Sequence, residues 1–342
     1  MPAASQHILI VHVAGLAQTT LALPALRSLR QQLPTSRITV VSNSTGAELL
    51  RLAACADEIL PVVRFRDGEF LNPRKFYRAA KSLKELRRER FDLAVEFKAG
   101  AESSLVMQFV HSRELLSGKK RVIDAALDRL SEALGGAHSL RPHVAYEYLR
   151  RLEPLGVRPM EAEPRIDTLR ESDERIERLL GKHDVGLGEL LIGVHPGAGE
   201  GNPRWPLDRF ASIAARLINN FDARILVFAG PGERGLARRL VASLPARRAI
   251  AIESPKIAEF VSAAARLSLF VGNHSGPAHV AAAAGAPVVV ASTFVQNSSL
   301  DLIGARVDHI RASHFTLILE DDVYNAACKL LKTSRAEFLR SR

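Results

Sequence analysis

The sequence predicts an α/β protein of two doubly wound domains, and three observations lead there. Short runs rich in Val and Ile alternate with helical patterns along almost the whole chain, the signature of parallel strands joined by crossover helices. The alternation breaks once, over Gly156 to Asp167, a polar stretch carrying Pro159, Glu161, Glu163 and Pro164, and then restarts. At 342 residues the chain also exceeds the length over which one hydrophobic core keeps growing, roughly 250 to 300 residues. The expected division is 1–160 and 161–342.

In the first domain Ile8 to Val13, Arg37 to Ser42, Glu58 to Val62, Asp92 to Phe97 and Arg121 to Ile123 read as strands. Helices are expected near 20–33, 44–54, 73–90, 101–112 and 143–155. After a charged helix, Glu171 to Lys182, the second domain offers strands at Leu191 to His195, Arg224 to Ala229, Ala249 to Ile252, Leu267 to Val271 and Pro287 to Ala291. Its helices are expected near 206–219, 232–243, 256–266 and 277–284. Right-handed crossovers give parallel sheets, and ligands then bind at the carboxyl ends of the strands, here in a cleft between the two domains.

Composition narrows the function. The chain is 47% apolar and 25% charged, as a globular protein is, and Met1 to His7 is too short and polar for a signal peptide. No apolar run approaches the ~18 residues that span a bilayer, so the expected location is the cytoplasm. Cys55 and Cys328 form neither a CxxC pair nor a metal spacing and are expected to be buried thiols. A net charge of +10 calls for a polyanionic partner. With aromatics at only 6% and no stacking platform near the basic run, that partner is not nucleic acid. The positive charge crowds one segment, with Arg64, Arg66, Arg74, Lys75, Arg78, Lys81, Lys84, Arg87, Arg88 and Arg90. Arg74, Arg78, Lys81 and Arg88 share one helical face, which is either a solvated surface or a docking face for anionic lipid or a phosphorylated acceptor.

Four loops at strand ends are candidates for the site. The most informative is Val271-Gly272-Asn273-His274-Ser275-Gly276-Pro277-Ala278-His279, which reads as strand, polar turn and helix start, followed by an alanine-rich helix that Gly285-Ala286-Pro287 ends. Ser275 or Gly276 can cap that helix, whose N-terminus suits an anion such as a diphosphate. The others are Ala14 to Thr20, His195-Pro196-Gly197-Ala198-Gly199 leading to Arg204-Trp205-Pro206, and Gly230-Pro231-Gly232-Glu233-Arg234-Gly235. The last matches G-x-G-x-x-G, with Glu253 near the spacing of a ribose ligand, so a nicotinamide or flavin enzyme stands as an alternative. Against it, the match falls on the second strand of its domain and Pro231 stiffens the turn.

Together these loops resemble glycosyltransferase family 9, the heptosyltransferase-like enzymes of lipopolysaccharide synthesis. The resemblance rests on the first strand and Leu23-Pro24-Ala25-Leu26, on Phe91-Asp92-Leu93-Ala94-Val95, on His195-Pro196-Gly197 with Trp205-Pro206, on Gly230-Pro231-Gly232-Glu233, and above all on Gly272 to His279. It implies a GT-B type fold of two Rossmann-like domains, and inverting transfer of a sugar, typically heptose from ADP-heptose, to a lipopolysaccharide-type acceptor. No metal or other cofactor is implied. The donor would lie in the C-terminal domain and the acceptor in the N-terminal one. Ser275, Gly276, Pro277 and His279 would then hold the diphosphate, although His279 equally reads as a core-facing helix residue. Arg204 stands one position from a phosphate-neutralising lysine of the family. Glu253 and Lys256 flank the turn expected near the adenosine ribose, and each reads equally as a surface charge. His195, Gly197, Gly230 and Gly232 would line the donor pocket. Arg64, Arg66, Arg74 and Arg78 would meet an anionic glycolipid acceptor, with peripheral contact at the inner face of the inner membrane.

The chain departs from the family at the expected base. The N-terminal loop usually carries Gly-Asp, but Ala17-Gln18 stands there, and an amide cannot take a proton. His12 replaces the basic residue that usually closes the first strand, and His274 replaces the aspartate usual before Ser/Thr-Gly. Three accounts remain open: a histidine base, His12 or His274; an acceptor that brings its own base, with Gln18 only orienting it; or a catalytically silent protein that binds sugar nucleotides.

Overall fold

The structure, a computed structural model, describes residues 6–62, 83–116, 142–186, 188–199, 203–294, 298–304 and 306–340. The chain divides into two compact units, Met1–Pro164 and Arg165–Arg342, so the break lies inside the polar stretch that marks it in the sequence. Each unit is a parallel sheet with helices, the α/β architecture expected.

The N-terminal unit holds β1 (His7–Val11), β2 (Arg37–Asn43), β3 (Glu58–Val62), β4 (Phe91–Glu96) and β5 (Ser112–Leu116) in the order β3-β2-β1-β4-β5. Every pairing is parallel, with Ile8 opposite both Ile38 and Leu93. Strands β1, β2 and β4 are almost continuously buried, because helices cover both faces of a parallel sheet. Leu9, Val11, Val41, Phe91 and Ala94 form one core cluster there.

The C-terminal unit holds β6 (Leu191–His195), β7 (Arg224–Ala229), β8 (Ala249–Glu253), β9 (Leu269–Asn273), β10 (Val288–Thr293) and β11 (Val307–Ala312). They run parallel in the order β11-β10-β9-β6-β7-β8. Trp205, Phe210, Val227 and Leu269 centre its core. Trp205 is fully buried, meets the Phe210 ring edge-on, and donates its indole N–H to the Ile318 carbonyl at 3.1 Å. A buried indole needs such a partner.

In both units the strand order reverses beside the first strand of the unit: at β1 and β4 in one, at β6 and β9 in the other. Ligands of doubly wound sheets sit at the carboxyl ends of those strands. The topology therefore points to His12 and Phe97 in the N-terminal unit and to His195 and His274 in the C-terminal one.

Several expected elements are corrected. The first helix starts at Leu16 rather than near residue 20, with Pro24 inside it as expected. The helix expected over 101–112 ends at Met107, and Ser112–Leu116 is an edge strand instead. Its Ser, Arg and Glu carry no apolar run, so nothing local announced it. Strand β11 was also missed, because Val307-Asp308-His309-Ile310-Arg311-Ala312 has neither a continuous apolar run nor clean alternation, and all six residues are half-buried. The strand at 121–123 and residues 73–82 of the basic helix lie outside the described residues; 83–88 are helical. Cys55 is buried, and burial pushes its thiol up to about 11. Cys328, expected to be buried, is only half-buried on the helix Glu320–Arg340.

Candidate functional site

The loop after β6 is held by two buried side chains from elsewhere. Asn273, fully buried at the end of β9, accepts from the Trp205 backbone N–H at 2.9 Å and donates to the carbonyls of Pro196 and Gly197 at 3.0 and 3.1 Å. Glu233, from the glycine-rich turn after β7, places one oxygen 3.0 Å from His195 Nε2 and 2.8 Å from the Gly230 N–H, and the other 3.1 Å from the Gly199 N–H. Burial alone would raise this carboxyl, but the His195 contact and the two backbone donors outweigh it and hold Glu233 at about 2. A Cβ on Gly197 would lie 1.9 Å from Glu233, so glycine is required there by close approach.

This arrangement explains why G-x-G-x-x-G does not act as a dinucleotide fingerprint. The Gly230 amide is already satisfied by the Glu233 carboxylate, and the next helix begins only at Leu236. Glu253, the presumptive ribose ligand of that reading, accepts the Gly235 N–H at 2.9 Å and pairs with Arg238 at 3.0 Å. Its two oxygens are taken up by the turn and helix that follow β7. Gly232 has open space on the side where a Cβ would stand. Lys256 is exposed just ahead of the helix Ile257–Ala264, and Arg204 is exposed beside buried Trp205.

After β9 the helix Gly276–Ala283 opens with Pro277 in its first turn, and Gly285 follows in the left-handed region at φ 96°. Ser275 takes the N-cap position, but its side chain makes no capping bond and its Oγ has no partner. The expected serine cap is thus corrected: the residue is extended, at φ −148° and ψ 167°, with its hydroxyl left available. His279 is buried in the first turn, its ring edge-on to His274 at 5.5 Å. His274 is fixed by its N–H to the Ala291 carbonyl and has its Nε2 3.5 Å from Asp301 Oδ1.

The N-terminal loop is a different environment. His12 is fully buried, its ring edge-on to Tyr148 at 5.2 Å and to Phe97 at 6.0 Å, and Phe97 stacks on Tyr148. Neither ring nitrogen has a hydrogen-bond partner. Burial foremost, and then the charges of Lys98 and Arg151, push it down to about 3, against a small opposing effect of the Gln18 backbone. Against the ordinary imidazole value near ~6.5, this environment keeps His12 neutral and weakly basic. Gln18 is half-buried in the first turn of the helix Leu16–Gln32. The Asn43 side chain donates to the Ala14 carbonyl at 2.5 Å and accepts the Gly46 N–H, anchoring this loop to the second strand. Arg64, Arg66, Arg74 and Arg78 lie outside the described residues.

Sequence reasoning quoted Asn273 and Glu233 inside motifs but assigned neither a task. It missed Asp301, His309 and Arg311 altogether. Among the described residues no three His, Cys, Asp or Glu side chains cluster as a metal site would require, and no helix is long and apolar enough to cross a membrane.

Two parallel doubly wound sheets in one chain, with motif loops at both switch points, define a GT-B type protein. The solved structures agree. A glycosyltransferase family 9 protein of Veillonella parvula superposes with a TM-score of 0.80 at 20% identity, covering 97% of this chain and 99% of that one. The ADP-heptose lipopolysaccharide heptosyltransferase II of E. coli gives 0.71 at 18% identity over 96% and 99%. E. coli heptosyltransferase WaaC, solved with ADP, gives 0.71 at 16% over 95% and 99%. A curated candidate glycosyltransferase of Haemophilus influenzae is 22% identical over 83% of this chain and 81% of its own. The sequence profile of glycosyltransferase family 9 (heptosyltransferase) matches residues 79–294, and the chain belongs to that family.

Proposed function

We propose that the protein transfers a sugar, heptose from ADP-heptose, to an anionic lipopolysaccharide-type acceptor, with inversion and without a metal ion. The observation that carries this reading is the start of the helix Gly276–Ala283 at the carboxyl end of β9, with the Ser275 hydroxyl unpartnered beside it. Such an N-terminus offers unpaired N–H groups and the positive end of the helix dipole to a diphosphate. WaaC of E. coli has been solved with ADP and with ADP-2-deoxy-2-fluoro heptose, which supports an ADP-linked donor here.

Ser275, Gly276, Pro277 and His279 hold the diphosphate in this reading, and exposed Arg204 adds positive charge as the bond to the sugar breaks. His195, Gly197, Gly230 and Gly232 shape the pocket floor, with Glu253 and Lys256 towards the nucleoside. The N-terminal unit takes the acceptor through Arg64, Arg66, Arg74 and Arg78, at the cytoplasmic face of a membrane. The base is His274. Gln18 has no basicity, and His12 at about 3 is a poor proton acceptor near neutral pH. His274 takes the proton of the acceptor hydroxyl as its oxygen bonds to the anomeric carbon, while the bond to the diphosphate breaks with its electron pair on the departing phosphate.

The second reading, a silent sugar-nucleotide-binding protein, draws on the same Gln18 and His12. Calorimetric titration with ADP, UDP, GDP and ADP-heptose, then mass spectrometry after incubation with lipopolysaccharide core acceptor, separates the two. Binding of ADP-heptose with release of ADP is expected. Binding without turnover establishes the silent protein, and no binding to any of the four overturns the donor site.

A further inference from the structure

Past Phe294 the chain leaves the residues that the family profile matches. Yet three side chains from this later segment converge on the motif residue His274. Strand β11 pairs with β10 in parallel, His309 opposite Val290 and Arg311 opposite Ser292. Strand periodicity puts His309 and Arg311 on one face of the sheet, while Ile310 and Ala312, on the other, pack against the core. From that face Arg311 Nη2 donates to Asp301 Oδ1 at 2.5 Å and lies 3.3 Å from His309 Nδ1. The same Asp301 oxygen is 3.5 Å from buried His274 Nε2, an ion-pair distance at which that nitrogen makes no hydrogen bond, and the His274 and His309 rings are 6.3 Å apart. The His274 side chain is 10% exposed.

The charges in this chain of contacts are defined. Burial would raise the Asp301 carboxyl, but its contacts with His274 and Arg311 and the charge of Arg311 hold it at about 2. Burial lowers His309 most, the Asp301 charge opposing and the Arg311 charge adding; because a guanidinium only donates, the 3.3 Å contact makes His309 Nδ1 its acceptor. A carboxylate next to Nε2 favours the imidazole tautomer with its proton on that nitrogen and leaves Nδ1 to accept a hydrogen bond or a proton. The family resemblance places a carboxylate at position 274 itself; here one stands a ring's width behind, delivered by a different segment.

We propose that Asp301 and Arg311 are positioning residues that fix the tautomer and orientation of His274 for transfer, resting on the reading of His274 as the base. Arg311 keeps Asp301 ionised and in place. The Asp301 charge, 3.5 Å away, favours the proton on Nε2 and balances the imidazolium that forms when Nδ1 takes the acceptor proton. Neither residue touches the donor.

The test pairs a spectroscopic readout with a kinetic one, on full-length protein. Nitrogen-15 spectra of histidine-labelled protein, with His274 assigned by its absence in His274→Gln, should show Nε2–H as the dominant tautomer. Asp301→Asn should abolish that preference, and Asp301→Glu should restore it in part. ADP release from ADP-heptose in the presence of core acceptor should fall about 100-fold in Asp301→Asn, with the Kd for ADP within twofold of the parent. Arg311→Gln should move both readouts the same way, by about 10-fold in rate, and carries the test if Asp301→Asn does not fold. An unchanged tautomer, or an unchanged rate in both variants, overturns the proposal. Should the parent protein release no ADP, the transferase reading fails, and the tautomer measurement still decides whether Asp301 positions His274.

Discussion

Each unit carries a histidine just beyond a central buried strand, and the two are treated oppositely. His12 follows β1 into a box of Phe97 and Tyr148 rings, with no partner for either nitrogen. His274 follows β9 into a set of charged neighbours, Asp301 and behind it Arg311. Identical side chains beyond strands that flank the switch point of each sheet thus meet low polarity in one unit and compensated charge in the other. Position in the fold nominates a residue, and the second layer of contacts decides its chemistry.

The largest expected effect concerns the tie that organises the C-terminal loops. Glu233→Gln keeps the shape but sets an NH2 group against a backbone donor, and should cost about 3 to 5 kcal/mol in urea unfolding. Because Glu233 is held at about 2, its contribution is complete above its ordinary value near ~4.5 and fades as pH falls towards 2. The variant should lack that part of the acid limb. A loss under 1 kcal/mol would mean the loops hold without it.

His12 gives the sharpest way to break the comparison. Its depressed value means that the unfolded chain binds a proton that the folded one refuses. Stability should therefore fall below pH ~6.5 by about 1.4 kcal/mol per unit until about 3. His12→Leu removes that slope, a difference of about 3 kcal/mol at pH ~4.5, and should be neutral or mildly stabilising at pH ~7 because two orphaned nitrogens disappear. An unchanged acid slope would show that His12 finds water or a partner after all.

Smaller effects separate nucleotide contact from scaffold. Arg204→Ala should weaken ADP about three- to tenfold in calorimetry, more at low salt than at high, whereas Lys256→Ala should change it less than twofold. Smallest of all is Gln18→Asp: with His274 as the base, ADP release should change less than about threefold, and a gain of tenfold would return the base to the N-terminal loop.

Much of this was legible from local pattern. Strands Leu191–His195 and Arg224–Ala229 match their apolar runs residue for residue, because a buried parallel strand must be nearly continuously apolar. Edge strands β5 and β11 escape, since their residues are half exposed and mixed. Strand β9 runs to Asn273 rather than Val271, its buried amide being stabilised by bonds to residues 68 to 77 positions away. Glu233 and Asp301 share that difficulty. Each acts across loops far apart in sequence, on a contact that periodicity does not encode.

The missing side chain of Gly197 has a mechanical meaning. The space a methyl group would fill is the seat of the Glu233 carboxylate, so the turn after β7 is keyed into the turn after β6 like a tenon in a mortise. Gly197→Ala should drive the key out, and displacing either turn drags the other with it. The two turns of the C-terminal unit are thus one unit of structure, each shaped by the side chain that the other lacks or supplies.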